Sequence, residues 1–355
     1  MGDRLGWTVK TQAGHGHAIG LVVSLDGGVH FQHWSNITNR HCTGVHVPFE
    51  CCSGADSGTC DHGNPMIIAS TKNGSWTAGG GSCDVTRRFG CVGTPNVLYD
   101  EQESNSSRRW KMWFVGSTHD HTQVGFASSP DGVSWSEHPG PIFDMQAQPY
   151  IQQFCLNPGV CGGNGYLVVR RFEGTFYMWF APMGNAMGLA TASEPEGPWE
   201  AYAGNPILTL KHTSCPNPTS DWPLGYDVYQ EGGEYRMIVG CMDRKNRVPC
   251  PGGATSHPVE PIYATAASPA HFTNWTFDLA HSPLLNRSTD RNAFDYCSYA
   301  SIQVMPVSEG VPRLKSDDVP TALQNHTDDP YFPIFHVRPA DGWHTNDVSA
   351  TSKSV

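Results

Sequence analysis

Apolar residues along the chain gather into short runs that stop at Gly, Pro, Asp or Ser before helical periodicity can develop. Such runs, rich in aromatic and β-branched residues and closed by turn formers, predict strands. Three of them share an order of aromatic, then Met, then apolar residues. They span 110–116, 176–181 and 235–240, with Met112, Met178 and Met237 in corresponding places. Each follows a polar or glycine turn, such as Glu173-Gly174 or Gly232-Gly233, so each reads as the second strand of a hairpin.

A strand rich in Gly or Ala comes next, and then a turn that ends at Trp. The clearest copies are 124–135, 187–199 and 262–275, ending at Trp135, Trp199 and Trp275. Related stretches lie at 19–31 and, more weakly, at 334–343. Asp-Gly pairs such as Asp131-Gly132 supply the positive φ of a tight turn. A Pro-Ile or Pro-Leu ending recurs at Pro141, Pro206 and Pro283.

The copies are spaced by roughly 60–75 residues, except across a Cys- and Gly-rich insertion at about 36–92. Four-stranded units repeated in this way predict an all-β, five-bladed β-propeller formed by residues 1–355 as one domain. A β-sandwich with coincidental turns is the competing architecture. The joint recurrence of turn, Trp and Met favours the propeller. The segment 7–10 takes the second-strand place of the first blade, so that blade is expected to be incomplete at the N-terminus, without its innermost strand.

Composition narrows the function classes. The formal net charge is -11 with no basic stripe, which disfavours nucleic acid as a partner. No apolar stretch is long enough to predict a membrane-spanning helix. Twelve cysteines suggest disulfides and an oxidising, extracellular or secretory compartment. Six Asn-Xaa-Ser/Thr sequons, at Asn36, Asn73, Asn105, Asn274, Asn286 and Asn325, point the same way. The stretch 1–7 has no apolar core of a signal peptide. Cys155/Cys161 and Cys241/Cys250 could each staple a loop. Cys42, Cys51, Cys52 and Cys60, with His41, His46 and His62, favour disulfides over zinc because no Cys-x-x-Cys pair occurs among them.

At 127–135, 174–180 and 233–239 the sequence resembles the five-bladed propeller clan of glycoside hydrolases, which includes invertases, levansucrases, arabinanases and β-xylosidases. The resemblance covers about 15–345 and concerns blade architecture more than activity. It implies a carbohydrate ligand over a central channel. It also implies three carboxylates from innermost strands: a base or nucleophile, a positioning Asp and a Glu acid. An oxocarbenium-like transition state needs a proton donor on one side and a negative group on the other. No cofactor is implied, although a central structural ion such as calcium is compatible with some relatives.

The innermost strands are expected at 94–99, 166–170, 225–229 and 299–304. Asp227, after Gly225 and Tyr226, resembles the positioning Asp. The same residue also reads as a turn aspartate before a hairpin. Asp84, Asp144 and Asp295 lie in loops leading to inner strands, as candidates for the acid/base pair or as loop caps. Asp295 stands between Phe294 and Tyr296, as on a sugar-facing rim. Glu173 and Glu231 fall in hairpin turns and are expected to be non-catalytic. The strand at 94 has Thr94 and Asn96 where relatives often carry Asp, and the strand at 166 opens without a Glu. His15, His17, His119 and His121 lie between second and third strands and could rim the ligand face or serve as polar loop residues. Arg170 and Arg171 end an inner strand, to bind an acidic group on a sugar or to form structural ion pairs. Two functions follow: a secreted glycoside hydrolase, or a glycan-binding or structural propeller that has lost the catalytic acid.

Overall fold

A computed structural model describes residues 3–10, 17–24, 31–33, 67–68, 75–77, 91–117, 122–132, 134–151, 165–181, 186–209, 222–231, 233–242, 248–249, 255–256, 259–278, 299–305 and 332–337. These residues form antiparallel sheets with two short 3-10 turns, Ser106–Arg108 and Pro269–His271. The first sheet contains β1 (Asp3–Lys10), β2 (His17–Ser24), β3 (Phe31–His33), β4 (Ile67–Ile68), β5 (Cys91–Tyr99), β6 (Trp110–Ser117), β7 (Thr122–Ser129), β8 (Ser136–Glu137) and β9 (Phe143–Asp144). The second contains β10 (Tyr166–Phe172), β11 (Thr175–Ala181), β12 (Ala186–Ala192), β13 (Glu200–Ala201) and β14 (Leu208–Thr209). A third sheet begins with β15 (Trp222–Glu231) and β16 (Glu234–Met242). A small ribbon of β17 (Val248–Pro249) and β18 (Thr255–Ser256) follows, and the third sheet resumes with β19 (Val259–Ala266) and β20 (Thr276–Asp278). The last pair is β21 (Tyr299–Met305) with β22 (Phe332–Val337).

The repeat is visible in the hydrogen-bond register. β6, β11 and β16 are the Met-bearing strands. Met112 faces Val97, Met178 faces Val169 and Met237 faces Val228. The short strands β8, β13 and β20 begin directly after Trp135, Trp199 and Trp275. β9 and β14 follow the Pro-Ile endings and pair with the first residues of β7 and β12. β4 does the same for β2, pairing Ile67 with Ile19. The Pro65 ending is therefore a further copy, hidden inside the insertion. Among the described residues β1 pairs with β2 alone, and β2 also pairs with β3, β4 and, at His17, β5. That gives β1 the second-strand place expected of the segment at 7–10.

The C-terminal segment differs from expectation. Residues 334–343 read as a third-and-fourth-strand unit, but β22 lies directly against β21, in the second-strand place. The sequence between them contains no Met, and among the described residues β22 is the strand that pairs with β21. Residues 338–343 lie outside the described residues.

Side-chain alternation explains how the sheets pack. In β11, Phe176, Met178 and Phe180 enter one core with Trp113, Val115 and Phe126 from the first sheet. Trp179, from the same strand, enters a second core with Met237, Val239, Ile262 and Phe272 from the third sheet. Successive strand residues point to opposite faces, so one strand supplies both cores. Burial on both faces explains why β11 reads as an unbroken apolar run.

Turns and glycines hold this arrangement. Glu173 (φ 53) and Gly174 (φ 84) form the two-residue turn between β10 and β11. In the Ser-Ser-Pro-Asp-Gly turn, Gly132 N–H donates to Ser129 Oγ at 2.8 Å, and Ser134 N–H donates to Asp131 Oδ1 at 2.8 Å. Gly125 and Gly188 occupy corresponding places in β7 and β12. An added Cβ would lie 2.5 Å from the Phe114 ring at the first and 2.6 Å from the Phe180 ring at the second. The recurring glycine lets an aromatic ring from the Met-bearing strand lie across its neighbour.

We expect Gly188→Ala to destabilise the protein by about 1–3 kcal/mol through overpacking. Gly140→Ala, where nothing lies within 4 Å, should leave stability within about 0.5 kcal/mol. Urea unfolding of the two variants checks the contrast.

Candidate functional site

The innermost strands β5, β10, β15 and β21 lie side by side in that order. β5 and β10 run in the same direction. Thr94 near the start of β5 donates its hydroxyl to Gly165 O at 2.8 Å, and Asp100 beyond its end meets Arg171. Three of the four strands are bulged near their starts, between Gly93 and Asn96, between Gly225 and Asp227, and between Tyr299 and Ser301. Bulges turn side chains away from strict alternation and are frequent beside active sites. Thr94, at φ 44, is the strained residue of the first bulge.

The hairpin register places Asn96, Val168 and Asp227 at equivalent positions on three successive inner strands, opposite Trp113, Trp179 and Ile238. Asp227 is completely buried. An isolated carboxylate there would be costly, and three observations explain its presence. Arg170 Nη2 donates to Asp227 Oδ1. The Val228 N–H donates to the same oxygen at 2.7 Å. Arg170 Nη1 also donates to Asn96 Oδ1 at 3.2 Å and to Val169 O at 2.8 Å. Asn96 Oδ1 further accepts the Val169 N–H at 2.9 Å, which fixes the orientation of the amide. Its Nδ2 is buried and has no hydrogen-bond partner among the described residues. A polar chain, Asn96–Arg170–Asp227, therefore crosses three inner strands.

The other expected site residues fall into three groups. Arg170 is held by Asp227 and Asn96, and Arg171 by Asp100, which is the ion-pair alternative considered for both. Asp144, in β9, accepts the Gln146 N–H at 2.8 Å and the Ala147 N–H at 3.2 Å through Oδ1, the loop-capping alternative. Tyr226 is the bulged residue of β15. His17 is the first residue of β2, opposite Lys10 and alongside Cys91, so it lies within a strand and not in the preceding loop. Asp84, Asp295, His119, His121 and Tyr296 lie outside the described residues. So do the Cys/His group at 41–62, Cys155, Cys161 and Cys250.

A second polar cluster, not anticipated from sequence, occupies the hairpin end of the inner strands. Arg171 Nη1 lies 2.9 Å from both Asp100 oxygens. Lys111 is 0% exposed, donating to Glu103 Oε2 at 3.0 Å and Arg108 O at 2.8 Å, with Asp100 Oδ2 at 3.5 Å. The signal was a lysine inside an otherwise apolar Met-bearing strand. Glu103 is held below its ordinary carboxylate range, chiefly by the Asn105 N–H and also by Lys111, against the effect of burial. Arg108 pairs with Glu196, and Trp113 Nε1 donates to Pro195 O at 2.9 Å, both joining the first sheet to the second. On the next strand pair, Tyr235 Oη donates to Glu173 Oε1 at 3.2 Å. Burial first, and Glu173 second, push the Tyr235 hydroxyl pKa up. Glu173 thus sits in the hairpin turn, as expected. Among the described residues, no group of three or more His, Cys, Asp or Glu is placed to hold a metal ion. No helix among them is long and apolar enough to cross a membrane.

No family model matches the chain, and no curated protein does. Its structural neighbours are glycoside hydrolases. A protein described as a glycoside hydrolase superposes with a TM-score of 0.51 and 13% identity, over 95% of this chain and 84% of that one. A putative glycoside hydrolase from Parabacteroides distasonis gives a TM-score of 0.50 and 12% identity, over 83% and 74%. A glycosyl hydrolase from Bacteroides ovatus gives 0.46 and 12%, over 78% of this chain and 66% of that one. The chain therefore spans just under two thirds of the length of that last enzyme. At these identities the likeness is one of fold: this is an all-β chain of sheets built like those of known glycoside hydrolases.

Two predictions concern the charged clusters. Arg170→Met should destabilise by about 3–5 kcal/mol because it removes the guanidinium that compensates the buried Asp227 carboxylate. The Arg170→Met/Asp227→Asn double variant should recover part of that loss, and a double-mutant cycle in urea measures the coupling. Glu103 has a lowered folded pKa, so its contribution is fully present above its ordinary value of 4.5 and is lost as pH falls through the lower folded value. The stability gap between the natural protein and Glu103→Gln should therefore narrow on acidification below that range, as read by unfolding across a pH series.

Proposed function

We propose that this protein is an extracellular, glycoside hydrolase-like five-bladed propeller that acts on an oligo- or polysaccharide where its inner strands begin. The supporting observation is Asp227: a buried carboxylate beside a bulge on an inner strand, tied to Arg170 of the preceding inner strand. Its burial gives it a positioning role. It holds the Arg170 guanidinium, whose side chain is 13% exposed, toward the space between the strands. Asp84, Asp144 or Asp295 would supply the acid/base pair. Hydrolysis requires two such carboxyl groups about 5–10 Å apart across the channel mouth, one to protonate the leaving oxygen and one to act on the opposite sugar face. His17, His119, His121, Tyr226 and Tyr296 would line the rim. The extracellular setting is supported by the twelve cysteines and by Cys241, which is buried in β16 and disulfide-bonded.

A second reading is favoured by one observation. The positions equivalent to Asp227 on the two preceding inner strands hold Asn96 and Val168, neither of which ionises as an acid. A propeller that binds glycan without cleaving it would have this constitution.

One experiment separates the two. The full chain and Asp227→Asn are applied to a glycan array and to a hydrolysis screen with polysaccharides. The hydrolase reading expects turnover that falls at least about 100-fold in the variant, within the range for removal of a catalytic-site group. Binding without turnover by the natural chain selects the second reading. Turnover unchanged in the variant removes Asp227 from the mechanism.

A further inference from the structure

Two of the six sequons lie among the described residues, and both occupy the same end of the sheets. Asn105 lies in the connection from β5 to β6, at the hairpin end of an inner strand. Asn274 lies in the connection from β19 to β20. β19 ends at Ala266 opposite Tyr235, where β16 leaves its own hairpin. Both therefore stand opposite the end where β5, β10 and β15 begin.

Local structure presents each asparagine outward. Asn105, Ser106 and Ser107 are exposed. Asn105 Oδ1 accepts the Ser107 N–H at 3.1 Å and the Ser107 hydroxyl at 2.7 Å, and its Nδ2 has no partner among the described residues. Asn274 and Thr276 are exposed, whereas Phe272 and Trp275 are buried. The Phe272 and Trp275 rings stack 5.4 Å apart at 4°, and Trp275 Nε1 donates to Phe272 O at 2.8 Å. Anchored rings on both sides hold the Asn274 tip in solvent, with room for a bulky substituent.

We propose that Asn105 and Asn274 carry N-linked glycans, so that both glycans borne by the described residues stand at the hairpin end of the sheets. The proposal rests on the secretory compartment put forward above. In the transfer, Nδ2 bonds to the anomeric carbon of a lipid-diphosphate-linked oligosaccharide. The anomeric C–O bond to the diphosphate breaks, an amide proton is released, and the lipid diphosphate leaves.

The test translates the full chain, fused to a cleavable leader, into endoplasmic-reticulum microsomes. The leader supplies the compartment, and protease protection reports entry, so a wrong assignment of natural secretion does not affect the result. Ser107→Ala and Thr276→Ala should each remove one glycosidase-sensitive step from the gel ladder, as should Asn105→Gln and Asn274→Gln. Endoglycosidase should also release both glycans from the folded protein without denaturant. A ladder unchanged by the substitutions at either sequon overturns the proposal for that asparagine.

Discussion

A charge cannot stay inside a stack of apolar sheets unless another group holds it there, and the inner strands of this protein are organised around that constraint. Asp227 has no contact with water, so its carboxylate requires Arg170 and the Val228 amide. Arg170 belongs to the neighbouring sheet and reaches back to Asn96 in the sheet before it. One guanidinium thus fixes the spacing and relative height of three strands that are distant in sequence. Arg171, the next residue, leaves the strand on its other face and does the same for Asp100. Adjacent arginines therefore tie the second sheet to both neighbours, while Met178 and Trp179 one strand further out fill the apolar space on the same two sides.

Much of the fold was readable because the repeat is written in residues with local structural work. Met112, Met178 and Met237 mark strands in register. The tryptophans at 135, 199 and 275 mark the start of each outer strand. Glu173-Gly174 and Asp131-Gly132 mark turns that need positive φ. The Pro65 copy escaped notice because it sits among cysteines and glycines that hide the periodicity. The placement of β22 was missed for the opposite reason. A turn motif is local, whereas the partner of a strand is decided by whichever segment remains available.

The site was less legible than the fold. Asp227 could be singled out because a carboxylate at the head of an apolar strand is anomalous. Its partner could not, since Arg170 lies far away in sequence and the pairing depends on how two sheets align. The same holds for Asp100 with Arg171 and for Lys111 with Glu103. Asn96 stood out as a departure from relatives, yet its amide also orients the arginine. Sequence periodicity reports which face a side chain takes; it carries no information on which distant side chain waits there.

The amide at Asn96 has an electrical consequence. A second acid in that place would compete with Asp227 for Arg170, and the number of negative charges between the inner strands would change as the solution was acidified. An amide offers the same oxygen to the guanidinium but never gains or loses a proton in water. Among the described residues, the chain Asn96–Arg170–Asp227 thus joins one cation to one anion and to a neutral amide. The charge at that strand therefore does not follow the acidity of the surroundings.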